Sequence, residues 1–413
     1  TSGQVNLAVL GNGQSMQFWT GNTSNVWDTL ASNWVNTTPD GDAATWVGSV
    51  GVFGSESGAQ PGTVTVQGSQ AFDTLQFSAN GYEIAADTGN NPGSLIIAPL
   101  NGSAATINTG AGISATISAP IADGGGNQLI KAGSGTLTLS GGNTYTGDTQ
   151  INDGTLVADY SGQTGSALGT GAVEVNGAGS TLQVKHDTKL GNAISLNGGT
   201  LDNAGTLTVT GLAVHGLAGT TATVNNHDGG AIVSLSTGTD GVGVQLDGRG
   251  SVTNQSGGTI TGTNIGVDLG EFGTLTNKGQ GSAIAGFLGA GVKGSGSGNV
   301  VSNLDGASIA GGGVGVALTN GGTVVNDGNA STILGGMAGV AISGPAGSLT
   351  NSNGARIEGL GVFPFGAGVQ LSVGSTLDNN TGASINGVAT GVLLDNGSFT
   401  NSTNASITCG VYG

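Results

Sequence analysis

Between residues 201 and 401 the pattern of an apolar residue followed two positions later by asparagine recurs at near-regular spacing. The asparagines are Asn203, Asn226, Asn254, Asn277, Asn303, Asn326, Asn351, Asn379 and Asn401, spaced 22 to 28 residues apart. Six or seven residues after each from the second onward comes an isoleucine: Ile232, Ile260, Ile284, Ile309, Ile333, Ile357, Ile385 and Ile407. A Gly-Val pair then follows, at Val242, Val267, Val292, Val316, Val340, Val369 and Val392. Each unit of about 25 residues therefore holds three short apolar runs of period 2, separated by Gly, Asn or Ser turns, which is strand length and strand period. A unit of three short strands cannot bury its own inner face. Stacked on copies of itself it closes a coil and pairs every strand with its equivalent in the next, so the repeat predicts an all-β parallel β-helix.

Composition removes the competing classes. Of 413 residues 85 are Gly, and charged residues make up only 8%. Gly at this density costs a helix about 1 kcal/mol per site. Disorder requires low hydrophobicity with high charge, yet the apolar fraction is 36%. Collagen needs Gly at every third position, and the chain lacks that period. Seven basic against 24 acidic residues give a net charge of −17, which leaves nothing to neutralise phosphates and excludes nucleic acid as a partner. No run of about 18 apolar residues is present to cross a bilayer as a helix.

The predicted Asn columns sit in the turn after the first strand. There they either form an amide ladder from coil to coil or simply tolerate a left-handed turn conformation. Upstream, strand-like runs such as Thr63–Val66, Thr74–Phe77 and Thr136–Leu139 recur about every 20 residues, consistent with shorter coils. All four Trp (Trp19, Trp27, Trp34 and Trp46) precede residue 50 and read as the packing of a terminal cap; a Trp-lined carbohydrate site is the alternative. The expected organisation is a cap with the first coils over 1–50, a β-helix over 51–200, and a regular β-helix over 201–413.

Residues 129–158 contain the string Gly133-Ser-Gly-Thr-Leu-Thr-Leu-Ser-Gly-Gly-Asn-Thr-Tyr-Thr-Gly147 followed by Gly154-Thr-Leu156. This stretch closely resembles the autotransporter-associated β-strand repeat of type V secreted proteins of Gram-negative bacteria. The spaced Trp segment at 18–46 and Tyr82-Glu-Ile84 are similar to the region that precedes such repeats. The resemblance implies a right-handed β-helical passenger displayed at the bacterial cell surface and exported through its own C-terminal outer-membrane barrel in the full-length protein. The barrel is not expected among residues 1–413, which read as part of a longer passenger.

The residues offer little chemistry. The chain has no Gly-x-Ser-x-Gly elbow in a strand-to-helix context. His186, His215 and His227 show no metal-ligand spacing, and the calcium-binding nonapeptide is missing. The acids are scattered, although Asp247 and Asp268 both follow the Gly-Val strand and so are open to stacking. No catalytic residue, metal or cofactor is expected. A carbohydrate-active enzyme and a passive stalk are the alternatives to the preferred function, an adhesin or self-association module.

A candidate contact patch lies where the unit after Ile357 is about five residues longer than its neighbours. The insertion, Leu360-Gly-Val-Phe-Pro-Phe-Gly-Ala367, carries Phe363 and Phe365, and insertions leave a solenoid as loops. Phe287 and Leu288 have the same phase two units earlier, about 15 Å away at a rung spacing of about 4.8 Å. These four residues either meet a partner, which is a neighbouring cell's copy or a host surface protein or glycan, or fold over a coil edge.

Overall fold

A computed structural model describes residues 13–36, 41–361, 366–402 and 404–410. Every regular element among them is a strand, arranged as stacked coils of a parallel β-solenoid. The chain divides into two compact units, residues 1–173 and 174–413.

The first unit starts with antiparallel strand pairs. Met16–Trp19 runs against Trp34–Asn36, which runs against Ala43–Ala44, while Met16–Trp19 also pairs in parallel with Val50–Phe53. The four indoles pack against one another in this segment, Trp34 lying 4.5 Å from Trp46 and 5.3 Å from Trp27 between ring centroids. Phe53 joins the cluster and stacks on Phe77 of the next coil at 5.1 Å. All four Trp are buried, so none offers an open face to a sugar. From there the strands are parallel and in register. Leu75, Ile107, Lys131 and Ile151 form one inward column; Ile84, Ile117, Leu139 and Ala158 form another.

In the second unit each coil contributes a strand to three sheets, named here for their repeated residue. The Asn sheet stacks Leu201, Val224, Val252, Leu275, Val301, Val324, Leu349, Leu377 and Phe399 in consecutive coils. The Ile sheet stacks the eight isoleucines on Leu207. The Val sheet stacks Val244, Val267, Val292, Val316, Val340, Val369 and Val392. Val242, assigned to this column by the Gly-Val rule, instead pairs with Ile265: the run Gly241-Val-Gly-Val244 contains the signal twice, and the second copy is the one in register.

The nine asparagines do not occupy turns. Asn203 and Asn226 are the last residues of their strands, and Asn254 and Asn277 lie inside theirs. The left-handed position falls two residues later, at Asp228, Ser256, Asp305, Asn353 and Thr381, or at Gly279 and Gly328. That position, with φ near +50° for the non-glycines, is where Asn, Asp or Gly relieves steric cost. The turn chemistry and the asparagine thus belong to different residues.

Candidate functional site

The asparagine amides form a continuous hydrogen-bonded column inside the second unit. Asn203 Nδ2 donates to Asn226 Oδ1 at 2.7 Å, and the same bond recurs through Asn254, Asn277, Asn303, Asn326, Asn351, Asn379 and Asn401 at 2.7–2.9 Å. From Asn203 to Asn379 each Nδ2 also reaches a carbonyl at the Ile-sheet segment of the next coil, as Asn226 does to Thr259 O at 3.1 Å and Asn303 to Thr332 O at 3.0 Å. The side chain therefore spans the bend from one sheet to the next and satisfies carbonyls where the chain turns. Asn203 Oδ1 is buried without a partner, because the residue one coil earlier in register is Val184. From Asn203 to Asn379 the column is an internal scaffold and presents no surface, whereas Asn401 is exposed.

The segment 129–158 has its own internal polar feature. Lys131 lies in the inward column between Ile107 and Ile151 and is buried. Its ammonium donates to Ala132 O at 2.9 Å, Gly133 O at 2.5 Å and Asp153 O at 3.1 Å. Burial lowers its pKa to about 8, with the nearby Asp153 charge opposing. Gly133 and Gly154 are both left-handed, and a Cβ at either would come within 2.4 Å of the backbone of the coil beneath. The glycines of the motif thus permit direct contact of successive turns.

The histidines are not gathered together. His186 lies beside Asp187, His215 Nε2 sits 2.7 Å from Asp247 Oδ2, and His227 bridges Asp202 and Asp228 at 2.9 Å each. Asp247 and Asp268 do lie near each other, but each has its own partners. Burial alone would raise the Asp247 carboxyl; hydrogen bonds from Gln245 and His215 hold it below the usual range. Asp268 is raised by burial, which outweighs its 2.9 Å bond from Lys293 Nζ. Among the described residues, no group of three His, Cys, Asp or Glu is arranged to hold a metal ion.

One edge of the second unit carries exposed apolar side chains among polar ones such as Thr259, Ser308 and Asp240. Val233, Thr261, Ala285, Ala310 and Leu334 form an outward column of the Ile sheet, and the turn from that sheet to the Val sheet carries exposed apolar side chains. Leu235 is 54% exposed, Phe287 64%, Leu288 68%, Met337 47% and Leu360 55%. Backbone bonds hold this turn in register from coil to coil: Phe287 N donates to Gly262 O, Gly312 N to Gly286 O, Met337 N to Gly313 O and Leu360 N to Gly335 O. Phe287, Gly312, Gly336 and Leu360 therefore occupy one phase, and Leu288, Gly313 and Met337 the next. The Ile284 and Ile357 coils are three rungs apart, one more than the sequence count of two. Phe363 and Phe365 lie outside the described residues. The sequence pattern singles out Phe287 and Leu288 but not Leu235 and Met337, whose signal is their position one and two residues after the strand with the repeated Ile.

Comparison with known proteins finds likeness over part of the chain. Residues 129–158 match the family model described as passenger-associated-transport-repeat. The adhesin BmaC autotransporter of Brucella suis biovar 1 (strain 1330) is 36% identical over 159 residues, which is 36% of this chain and 4% of that protein. The chain thus corresponds to a small part of the relative's length. No solved structure matches the chain significantly. The likeness to passenger sequence is thus carried by residues 129–158 and by the 159 residues aligned with the relative.

Proposed function

We propose that this passenger segment is an adhesive module, exported to the bacterial cell surface and held at the outer membrane in the full-length protein. It would act through extended surface contact with a neighbouring cell or a host surface. The observation that carries the reading is the run of exposed apolar side chains along one edge of the second unit. Large apolar patches rimmed by polar residues mark interaction sites, and Phe287 and Leu288 are more than 60% exposed there. The name of the adhesin relative supports the same reading.

The test is display of the chain on a non-clumping bacterial strain, followed by measurement of cell settling and of retention on host-cell layers. Both or either should rise above the undisplayed control. Phe287→Ser with Leu288→Ser should reduce the gain while leaving the thermal midpoint within about 2 °C, since surface substitutions rarely exceed ±0.5 kcal/mol. Display without any gain in settling or retention sinks the proposal.

A further inference from the structure

We infer that the turn from the Val sheet to the Asn sheet at residues 247–249 holds a binding site for one uncharged saccharide residue, with Arg249, Asp247 and Glu271 as its hydrogen-bonding groups. The inference rests on the adhesive reading and names a ligand class for it, on a different edge from the exposed apolar run.

A bulky residue in a costly backbone conformation marks the place. In each coil from Phe272 onward, the position two residues before the paired start of the Asn-sheet strand is left-handed. Later coils fill it with Gly298, Gly321, Ala346, Gly374 and Asn396, as steric cost demands. Phe272 holds the same conformation with φ +53°, an outlier for an aromatic residue. It is 47% exposed, so burial does not offset the strain. Its ring touches the bare backbone of Gly298 in the next coil, where a Cβ would come within 2.5 Å of it. From the coil before, the Arg249 guanidinium lies 4.6 Å from the ring centroid, a cation–π contact that fixes the plane of the donors. The strain is thus coupled to the placement of one guanidinium, as it is in ligand clamps.

That guanidinium lines a pocket of about 290 Å³ together with Thr220, Thr221, Asp247 and Glu271, room for a single sugar ring. No ion pair among the described residues takes up Arg249 or Glu271. Asp247 is held in place, since Gln245 Nε2 donates to its Oδ1 at 2.7 Å and His215 Nε2 sits 2.7 Å from its Oδ2. A carboxylate oxygen that accepts one bond keeps capacity for a second. The pocket therefore offers one braced set of planar donors and two carboxylate acceptors.

The mixture of signs selects the ligand. A sugar hydroxyl both donates and accepts, so neighbouring hydroxyls of one ring can give to Asp247 and Glu271 while taking from Arg249. Two carboxylates beside one guanidinium, in a chain of net charge −17, turn away phosphate and acidic sugars. An apolar ligand would take three charged groups out of water without pairing them.

The experiment is saturation-transfer difference NMR on the whole chain. The probes are the methyl glycosides of glucose, galactose, mannose and fucose, and N-acetylglucosamine, with galacturonate and sialic acid as charged counterparts. At least one neutral probe should bind with Kd of about 1–10 mM, the range for about a dozen non-hydrogen atoms at ordinary ligand efficiency. Arg249→Met and Asp247→Asn should each weaken binding at least about tenfold. Phe272→Asn puts there the residue type that position 396 already uses; it should weaken binding about threefold with a thermal midpoint no lower than the parent's. Arg356→Met, in the Ile sheet, should change binding less than about twofold. Silence from every neutral probe at about 50 mM, binding of the acidic sugars alone, or parental binding in Arg249→Met overturns the inference. So does a Phe272→Asn variant that loses stability but not binding. Retention and settling of cells displaying the chain are scored separately: adhesion without sugar binding rejects the site alone, and sugar binding without adhesion rejects the adhesive reading.

Discussion

Asn303 donates its side-chain amide to Asn326 Oδ1 at 2.8 Å while accepting the amide of Asn277 at 2.9 Å, both bonds in a fully buried column. Removing such a residue leaves a donor above and an acceptor below without partners. Asn203, by contrast, already has a buried Oδ1 that nothing meets. Asn303→Val is therefore expected to destabilise the second unit by about 3 kcal/mol, and Asn203→Val by about 1 kcal/mol, as one orphan replaces another. Urea unfolding of both variants checks this; equal losses would contradict the ladder's energetic role.

Lys131 gives the first unit a dependence on alkaline pH. Its pKa falls from 10.5 to about 8 on folding, so the unfolded chain binds the proton more tightly. The penalty is fully present below about pH 8 and relieved as pH rises toward 10. Stability contributed by this group should rise over that window and be flat in Lys131→Met. Above pH 10 the sign reverses, because burial, with the Glu56 charge, raises the Tyr82 phenol to about 12. Thermal melts from pH 7 to 11 on both proteins measure the difference.

His227 acts in the opposite range. Burial pulls the imidazole down, but hydrogen bonds to Asp228 and Asp202 and their charges outweigh it, and the pKa is raised. A raised pKa contributes stability that is fully present below the unfolded value of about 6.5 and lost as pH rises through the folded value. His227→Gln should remove that acid-side gain. A variant with the same pH profile as the parent between pH 5 and 8 would refute the bridge.

Gly154 is left-handed and a Cβ there would lie 2.4 Å from Gly135 O. Gly154→Ala combines backbone strain with a clash against the adjacent coil, and is expected to cost about 2–4 kcal/mol. Gly177, equally left-handed but with open space around a Cβ, should lose about 1 kcal/mol on the same change. Chemical denaturation of the two variants separates strain from contact.

Much of the fold is legible because its period repeats. Isoleucines at constant phase are in register over eight coils, and a one-residue slip would have turned them all outward. Lys131 was harder to read. Alternation from Leu129 points it inward, while its charge argues for solvent; the carbonyl cage that resolves the conflict comes from Gly133 and Asp153 turns. The exposed apolar run was only half visible. Phe287 stands out as an aromatic, but Met337 and Leu235 are ordinary residues until the register sets them along the same turn as Phe287.

The amide column also has a direction. Every link runs from the nitrogen of one coil to the oxygen of the next toward the C-terminus, so the side-chain dipoles reinforce one another head to tail. A length change in this part of the molecule is tolerated only in whole periods, such as excision from Asn254 up to Asn277. An inverted or half-period graft would set like poles together. Growth and shortening of the solenoid are thus quantised by its own wiring.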